Sequence, residues 1–291
     1  MEIIDGKKIS NIIKEEIKIE VDQIVKNGER APHLAAVLVG NDGASLTYVG
    51  SKVRSCEQVG FQSTLVKLPY DTSENNLLKK IDELNNDKEI DGFIVQLPLP
   101  KHINEEKVLL AVNPNKDVDG FHPTNFGKMA LNMETFLPAT PYGIIELLKR
   151  YKINTSGKNT VVIGRSNIVG RPISILMSRK GNPGDSTVTL VHSRTINLES
   201  FTKNADIIIS ALGVPDFINS SMVKKDVIII DVGITRVKDD SHPKGYIIKG
   251  DVDFNSVKEK ASYITPVPGG VGPMTIAMLL KNTLLSKSLK K

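Results

Sequence analysis

Apolar residues recur along this chain in two alternating rhythms. Ile9, Ile13, Ile17, Val21 and Ile24 fall three or four residues apart, the spacing of one helical face, and Gly28 stands where such a helix closes. Residues 34–39 form a continuous apolar run of strand length. Tyr48, Lys52, Cys56 and Val59 then continue as a second helix ending at Gly60. Residues 62–68 predict a strand, 74–84 a helix and 90–97 a strand, after which Asn104 caps a short helix with Glu105 and Glu106 in its first turn. Residues 113–132, rich in Asp, Asn, Pro and Gly, read as irregular, and Thr140 with Pro141 opens a new helix. Strand-like stretches follow at 160–163, 187–192, 205–211 and 227–232. This repeated βα order predicts an α/β protein with largely parallel sheets and helices on their faces. The change of character near residue 140 predicts two α/β domains with a cleft between them, one formed by residues 1–140 plus 272–291 and the other by 141–271.

The segment from Pro266 to Pro273 reads Pro-Val-Pro-Gly-Gly-Val-Gly-Pro, so six of its eight positions are Gly or Pro. It lies between a strand-like stretch, 263–265, and a helix-like run, 274–285. Such a loop either holds a ligand against bare backbone or serves as a tight connector. Packing of the last helix on the first half places the loop at the interdomain cleft.

Composition narrows the class. With 291 residues, 40% hydrophobic and 24% charged, the chain can bury two substantial cores. No apolar run approaches the ~20 residues of a membrane span, and the charged start is unlike a secretory signal. The single cysteine, Cys56, predicts a reducing, cytoplasmic compartment; with no His nearby, it reads as a buried small residue rather than a nucleophile. A net charge of +5 suits an anionic small molecule and is too diffuse to indicate nucleic acid.

Two constellations carry candidate chemistry. Residues 161–172 read as strand, turn and helix, with Gly164 and Gly170 six apart and Ser166 between them, a context that suits a phosphate at a helix N-terminus or a plain βα turn. Arg165 beside the strand end would meet a ribose 2′-phosphate and favours NADP over NAD. His192 and Ser193 end the next strand, His192 reading as a structural hydrogen-bonding group. In the first half, Tyr48 and Lys52 share a helix face, where a desolvated lysine can move protons or an ordinary lysine can simply face solvent. Gln96 sits at a strand's carboxyl end, and Asp117 and Asp119 form an acidic pair in a turn without the rest of a metal loop. No metal site is expected.

Tyr48-Val49-x-x-Lys52, residues 95–100, Lys116-Asp-Val-Asp-Gly-Phe-His-Pro123, Pro138-x-Thr140-Pro141, Gly164–Gly170, Gly250-Asp-Val-Asp-Phe254 and residues 265–275 occur in an order that resembles one family. The chain looks like the bifunctional methylenetetrahydrofolate dehydrogenase/methenyltetrahydrofolate cyclohydrolases from end to end; Ala139 departs from the Cys often found there. The resemblance implies a Rossmann-like parallel sheet binding NADP in residues 141–271 and a folate-binding catalytic domain in the rest. It implies Lys52 as the proton-transfer group, with Gln96 holding it, Tyr48 stacking on the folate and Asp119 accepting hydrogen bonds from the pterin. Leu97, Pro268, Gly269 and Gly270 would complete the substrate site. Gly164, Arg165, Ser166, Ser193, Gly233 and Ile234 would bind the cofactor. It also implies a homodimer acting on tetrahydrofolate one-carbon derivatives. Two other readings remain open: a dehydrogenase without the hydrolase step, and a non-catalytic NADP-binding regulator.

Overall fold

In the computed structural model, which describes residues 1–243 and 245–289, the chain divides into two compact units, Met1–Ser10 with Thr140–Thr275 and Asn11–Ala139 with Ile276–Lys291. The elements begin with β1 (Glu2–Ile3), α1 (Gly6–Lys26), β2 (His33–Val39), α2 (Gly43–Val59), β3 (Gln62–Leu68), α3 (Glu74–Asn86), β4 (Gly92–Val95), α4 (Glu105–Ala111), α5 (Pro123–Ala130) and α6 (Ala139–Arg150). They continue with β5 (Asn159–Ile163), α7 (Gly170–Ser178), β6 (Thr187–Val191), α8 (Leu198–Thr202), β7 (Ile207–Ser210), β8 (Val227–Asp231), β9 (Thr235–Lys238), β10 (Tyr246–Lys249), α9 (Phe254–Val257), β11 (Ala261–Ile264) and α10 (Val271–Leu289).

The unit built on residues 11–139 has a three-stranded parallel sheet in the order β3-β2-β4. Central β2 is buried from Leu34 to Val39, as a strand covered on both faces must be. Ile13, Ile17 and Val21 bury the predicted stripe of α1, and Leu77, Ile81 and Leu84 that of α3. Each such side chain contributes about 1.5–3 kcal/mol on leaving water. From α10, Asn282 donates to the carbonyls of Val118 and Leu137, and Ser286 to that of Asp91.

The other unit is a Rossmann-like parallel sheet in the order β1-β11-β8-β7-β5-β6, with Val161, Ile163, Ile208, Ile229 and Ile264 in its core. Glu2 and Ile3 pair with Tyr263 and Ile264, so residues 1–10 cluster by packing with this unit rather than with residues 11–139, where the sequence pattern groups them. Three other elements differ from expectation. Helix α5 lies inside the stretch that reads as irregular; Pro123 opens it and the His122 imidazole accepts from the Thr124 N–H. An antiparallel ribbon, β9 with β10, has no counterpart among the expected elements. Helix α10 begins at Val271, so Gly272 and Pro273 belong to its first turn.

Candidate active site

Helix α2 is fixed at both ends. The Asp42 carboxylate accepts from the Ser45 N–H at 2.8 Å, and Gly60, at φ 80°, ends the helix in the left-handed conformation. Its core-facing stripe runs Ser45, Val49, Lys52, Cys56, Val59, and all five are buried. A lysine therefore occupies a position the helix otherwise gives to small or apolar groups, and it is 5% exposed. Its ammonium donates to Gln96 Oε1 at 3.2 Å and stands 4.5 Å from the centre of the Tyr48 ring. The Gln96 amide is oriented for this, because its Nε2 donates to the Leu97 carbonyl at 2.7 Å and leaves Oε1 to accept. The Gln96 backbone N–H continues the sheet ladder to Val37 O at 2.8 Å, which sets the amide at the carboxyl edge.

Asp117 and Asp119 have separate duties. The Asp117 carboxylate is buried and accepts from the N–H groups of Phe121 and His122 and from Asn125 Nδ2. Burial nevertheless pushes it up to about 6. It organises the turn, in which Gly120 at φ 73° would carry any Cβ 2.6 Å from Leu137 C. The Asp119 residue is partly exposed, but its carboxyl is shielded, and no hydrogen bond to it exists among the described residues. Burial raises the Asp119 pKa while Lys52 opposes the shift; burial lowers the Lys52 pKa while Asp119 opposes that shift. Each group's neutral form is favoured by its surroundings. Cys56 lies beneath them, its thiol pushed up to about 12 by burial, which makes it inert. Tyr48, Lys52, Gln96 and Asp119 thus come together, with Leu97 joined through the Gln96 amide.

Gly164, Arg165 and Ser166 follow β5, Ser193 follows β6, and Gly233 and Ile234 follow β8, so all six stand at carboxyl ends of the six-stranded sheet. The β5–α7 turn is a close backbone cradle: a Cβ on Gly164 would lie 2.3 Å from Ala211 O and one on Gly170 2.0 Å from Gly164 O. Ser166 Oγ accepts from the N–H groups of Val169 and Gly170 at the start of α7, and Arg165 and Ser166 are exposed beside it. An exposed cation and hydroxyl at a helix N-terminus fit a phosphorylated dinucleotide. His192 serves its turn, its Nδ1 accepting from the Arg194 N–H at 3.2 Å.

Pro268, Gly269 and Gly270 belong to this same unit. Together with Asp231, Gly233 and Ile234 they line a cavity of about 130 Å³. Backbone conformation and packing account for two of the loop's glycines. Gly269 adopts φ 108°, and a Cβ on Gly270 would come within 2.6 Å of Pro266 O. The Lys7 N–H donates to Gly269 O and Ser10 Oγ to Pro273 O, tying the loop to the start of α1. Asp231 and Asp251, behind these loops, are buried carboxylates to which the sequence alone gives no role, although Asp251 lies in the Gly250–Phe254 motif; burial pushes Asp231 up to about 6. The one signal for Asp231 in the sequence is an acid closing the apolar run of β8. Among the described residues no cluster of His, Cys, Asp or Glu is arranged to hold a metal ion, and no helix is long and apolar enough to cross a membrane.

Fold and geometry together define an α/β protein with a Rossmann-like unit and a separate lysine-centred site. The model for the catalytic domain of tetrahydrofolate dehydrogenase/cyclohydrolase matches residues 4–119, and that for the NAD(P)-binding domain matches residues 138–291. A Flavobacterium johnsoniae relative, bifunctional protein FolD, is 71% identical over 290 residues, spanning 100% of this chain and 98% of its own. The Campylobacter jejuni bifunctional methylenetetrahydrofolate dehydrogenase/cyclohydrolase superposes with a TM-score of 0.94 at 46% identity, covering 100% of both chains. The Trypanosoma brucei methylenetetrahydrofolate dehydrogenase-cyclohydrolase, complexed with NADP cofactor and inhibitor, gives a TM-score of 0.93 at 35% identity, covering 99% of this chain and 98% of that one. The chain belongs to the tetrahydrofolate dehydrogenase/cyclohydrolase family.

Proposed function

We propose that this chain catalyses both reactions of its family: NADP-dependent oxidation of 5,10-methylenetetrahydrofolate to 5,10-methenyltetrahydrofolate, and hydrolysis of that product to 10-formyltetrahydrofolate. The observation that carries the reading is the desolvated Lys52 ammonium, 3.2 Å from an oriented amide and opposite a carboxylate that has no hydrogen bond among the described residues.

In the first reaction the two nitrogens flanking the methylene bridge donate their lone pairs, a hydride leaves, and a delocalised methenyl cation remains. NADP⁺, when bound, accepts that hydride at its nicotinamide ring. The chain's contribution is positioning. Arg165, Ser166 and Ser193 hold the 2′-phosphate, the backbone at Gly164, Gly233 and Ile234 meets the dinucleotide, and Tyr48 stacks on the folate. Asp119 accepts from the amino-pyrimidine edge of the pterin, and Leu97, Pro268, Gly269 and Gly270 close the substrate site.

In the second reaction water adds to the methenyl carbon and must lose a proton. Neutral Lys52 accepts it, held in place by Gln96 Oε1. When the resulting carbinolamine collapses, the carbon–nitrogen bond to the pterin nitrogen breaks, the Lys52 ammonium returns its proton to that nitrogen, and the hydroxyl releases its own proton to water as it becomes the formyl carbonyl. Lowering of the Lys52 pKa by burial brings its neutral form nearer the working range, as a general base requires. The proposed setting is a cytoplasmic homodimer acting in one-carbon metabolism; the single buried cysteine is in keeping with a reducing compartment.

A coupled absorbance assay tests both halves. With methylenetetrahydrofolate and NADP⁺, NADPH is expected to form without accumulation of the methenyl species. Accumulation would leave only a dehydrogenase, and no reduction of NADP⁺ or NAD⁺ would end the oxidative half of the proposal.

A further inference from the structure

Asp251 and Asp231 are buried, and the mechanism above does not use them. They stand behind the carboxyl edge of the six-stranded sheet, where open α/β sheets bind ligands. The Asp251 carboxylate accepts from Ser210 Oγ at 3.1 Å and from the N–H groups of Leu212 at 2.6 Å and Val214 at 3.0 Å. The Asp231 carboxylate accepts from the N–H groups of Gly233 at 2.9 Å, Asp251 at 3.0 Å and Val252 at 3.0 Å. Asp251 gathers the loop that follows β7, Asp231 gathers the turn that follows its own strand, β8, and the two are linked directly through the Asp251 N–H.

The steric fit is reciprocal. A Cβ on Gly233 would lie 2.3 Å from Asp251 Oδ1, and one on Gly250 2.0 Å from Asp231 Oδ2. Each carboxylate therefore needs a glycine beside the other in order to reach its donors. The chain held by Asp251 includes the segment beside Ala211, whose carbonyl packs against Gly164, and the chain held by Asp231 carries Gly233 and Ile234.

We propose that Asp251 and Asp231 are positioning residues for the cofactor, a double-carboxylate brace that shapes the loops 210–214 and 231–234. The inference rests on the reading of Gly164, Gly233 and Ile234 as cofactor contacts. Two apolar residues would fill this volume at less desolvation cost, but they would leave the loop N–H groups without acceptors and without a fixed direction. Lys52 and Gln96, which carry the proposed proton transfer, belong to the other unit, so the brace is expected to act on cofactor binding rather than on hydrolysis.

The test is calorimetric titration of the full chain with NADP⁺, paired with hydrolysis of methenyltetrahydrofolate in the absence of cofactor. Asp251→Asn turns an acceptor toward N–H groups as a donor and is expected to raise the NADP⁺ Kd by about tenfold or more; Ser210→Ala, which removes one donor, raises it about threefold. Hydrolysis stays within about twofold of wild type in both, far below the effect of losing a hydrogen bond to a charged group. An unchanged Kd in both variants overturns the brace, as does parallel loss of binding and hydrolysis in both, which would make the acids supports of the fold alone. A selective Kd rise in Ser210→Ala upholds it even where Asp251→Asn fails to fold. A wild-type chain that hydrolyses but does not bind NADP⁺ overturns the proposed oxidation itself, and the brace with it.

Discussion

Asp119 in one unit and Asp251 in the other are both shielded from bulk water, yet their surroundings differ in kind. Asp251 meets three donors from its own fold, and Asp231 beside it meets three more. Asp119 meets none among the described residues, and the charge opposite it, Lys52, is itself desolvated and bonded to a neutral amide. A buried carboxylate with its acceptor sites filled by backbone is architectural, because part of its desolvation cost is offset inside the fold. One left unfilled keeps that cost until a ligand offsets it, which is the expected condition of a binding or catalytic group. On the proposed reading, the difference separates a residue that meets substrate from residues that aim the loops.

The largest effect expected from that contrast is at Lys52. Lys52→Met keeps most of the length of the side chain and its stripe on α2 but removes the proton carrier. Hydrolysis of methenyltetrahydrofolate is expected to fall about 10²–10⁴-fold, the usual contribution of a positioned acid–base group. The NADP⁺ Kd, measured by titration, stays at the wild-type value. Wild-type hydrolysis in this variant would leave the lysine as packing and dissolve the contrast.

The brace carries its own signature in stability. Asp231 is held at about 6 in the fold, above the ordinary carboxylate range, so the folded chain binds its proton more tightly than the unfolded chain. The stabilisation is complete below about pH 4 and is lost as the pH rises through about 6, a swing of roughly 3 kcal/mol. Urea unfolding of wild type and Asp231→Asn across that range is expected to show the wild type losing this much relative to the variant. A difference that stays flat with pH would mean that backbone donors cancel the cost of burying the charge.

Much of this is legible in the chain. The apolar spacing of α1 predicts the stripe that Ile13, Ile17 and Val21 bury, and the motifs single out Tyr48, Lys52, Gln96 and Asp119, which the fold brings together. The brace is not legible, because its partners are 41 and 20 residues apart in the chain and meet only where the segment after β10 packs against the carboxyl ends of β7 and β8. Ribbon β9–β10 escapes for another reason: both strands are four residues long, and β9 alternates half-buried Thr235 and Val237 with exposed Arg236 and Lys238, too little apolar signal to stand out. Helix α5 hides among turn-forming residues although Pro123 marks its first position. The Pro266–Pro273 loop is conspicuous, yet the backbone at Gly269 and the packing at Gly270 already require glycine without a ligand.

Asp119→Asn probes the unfilled carboxylate directly. Loss of a charged acceptor for the pterin edge is expected to raise the KM for methylenetetrahydrofolate about tenfold. Because Asp119 works to raise the Lys52 pKa, its removal lets burial lower that pKa further. The rising limb of the hydrolysis pH profile therefore moves to lower pH. A limb that stays in place would show that the two groups do not communicate, whatever happens to KM.

The effect expected at Arg165 is no larger, and its exposure is the reason. A guanidinium in contact with water pairs with a phosphate through a screened interaction, worth far less than the same contact in a dry site. Arg165→Ala is expected to weaken NADP⁺ by about tenfold, near the lower end for a charge-assisted contact, and to leave NAD⁺ almost unchanged because that cofactor has no 2′-phosphate. Raising the salt concentration should shrink the wild-type preference toward that of the variant. Equal losses for both cofactors would move Arg165 off the 2′-phosphate and onto the dinucleotide's shared part. Discrimination between cofactors would then have to come from Ser166 and Ser193 alone, two neutral hydroxyls that cannot supply a salt-dependent preference.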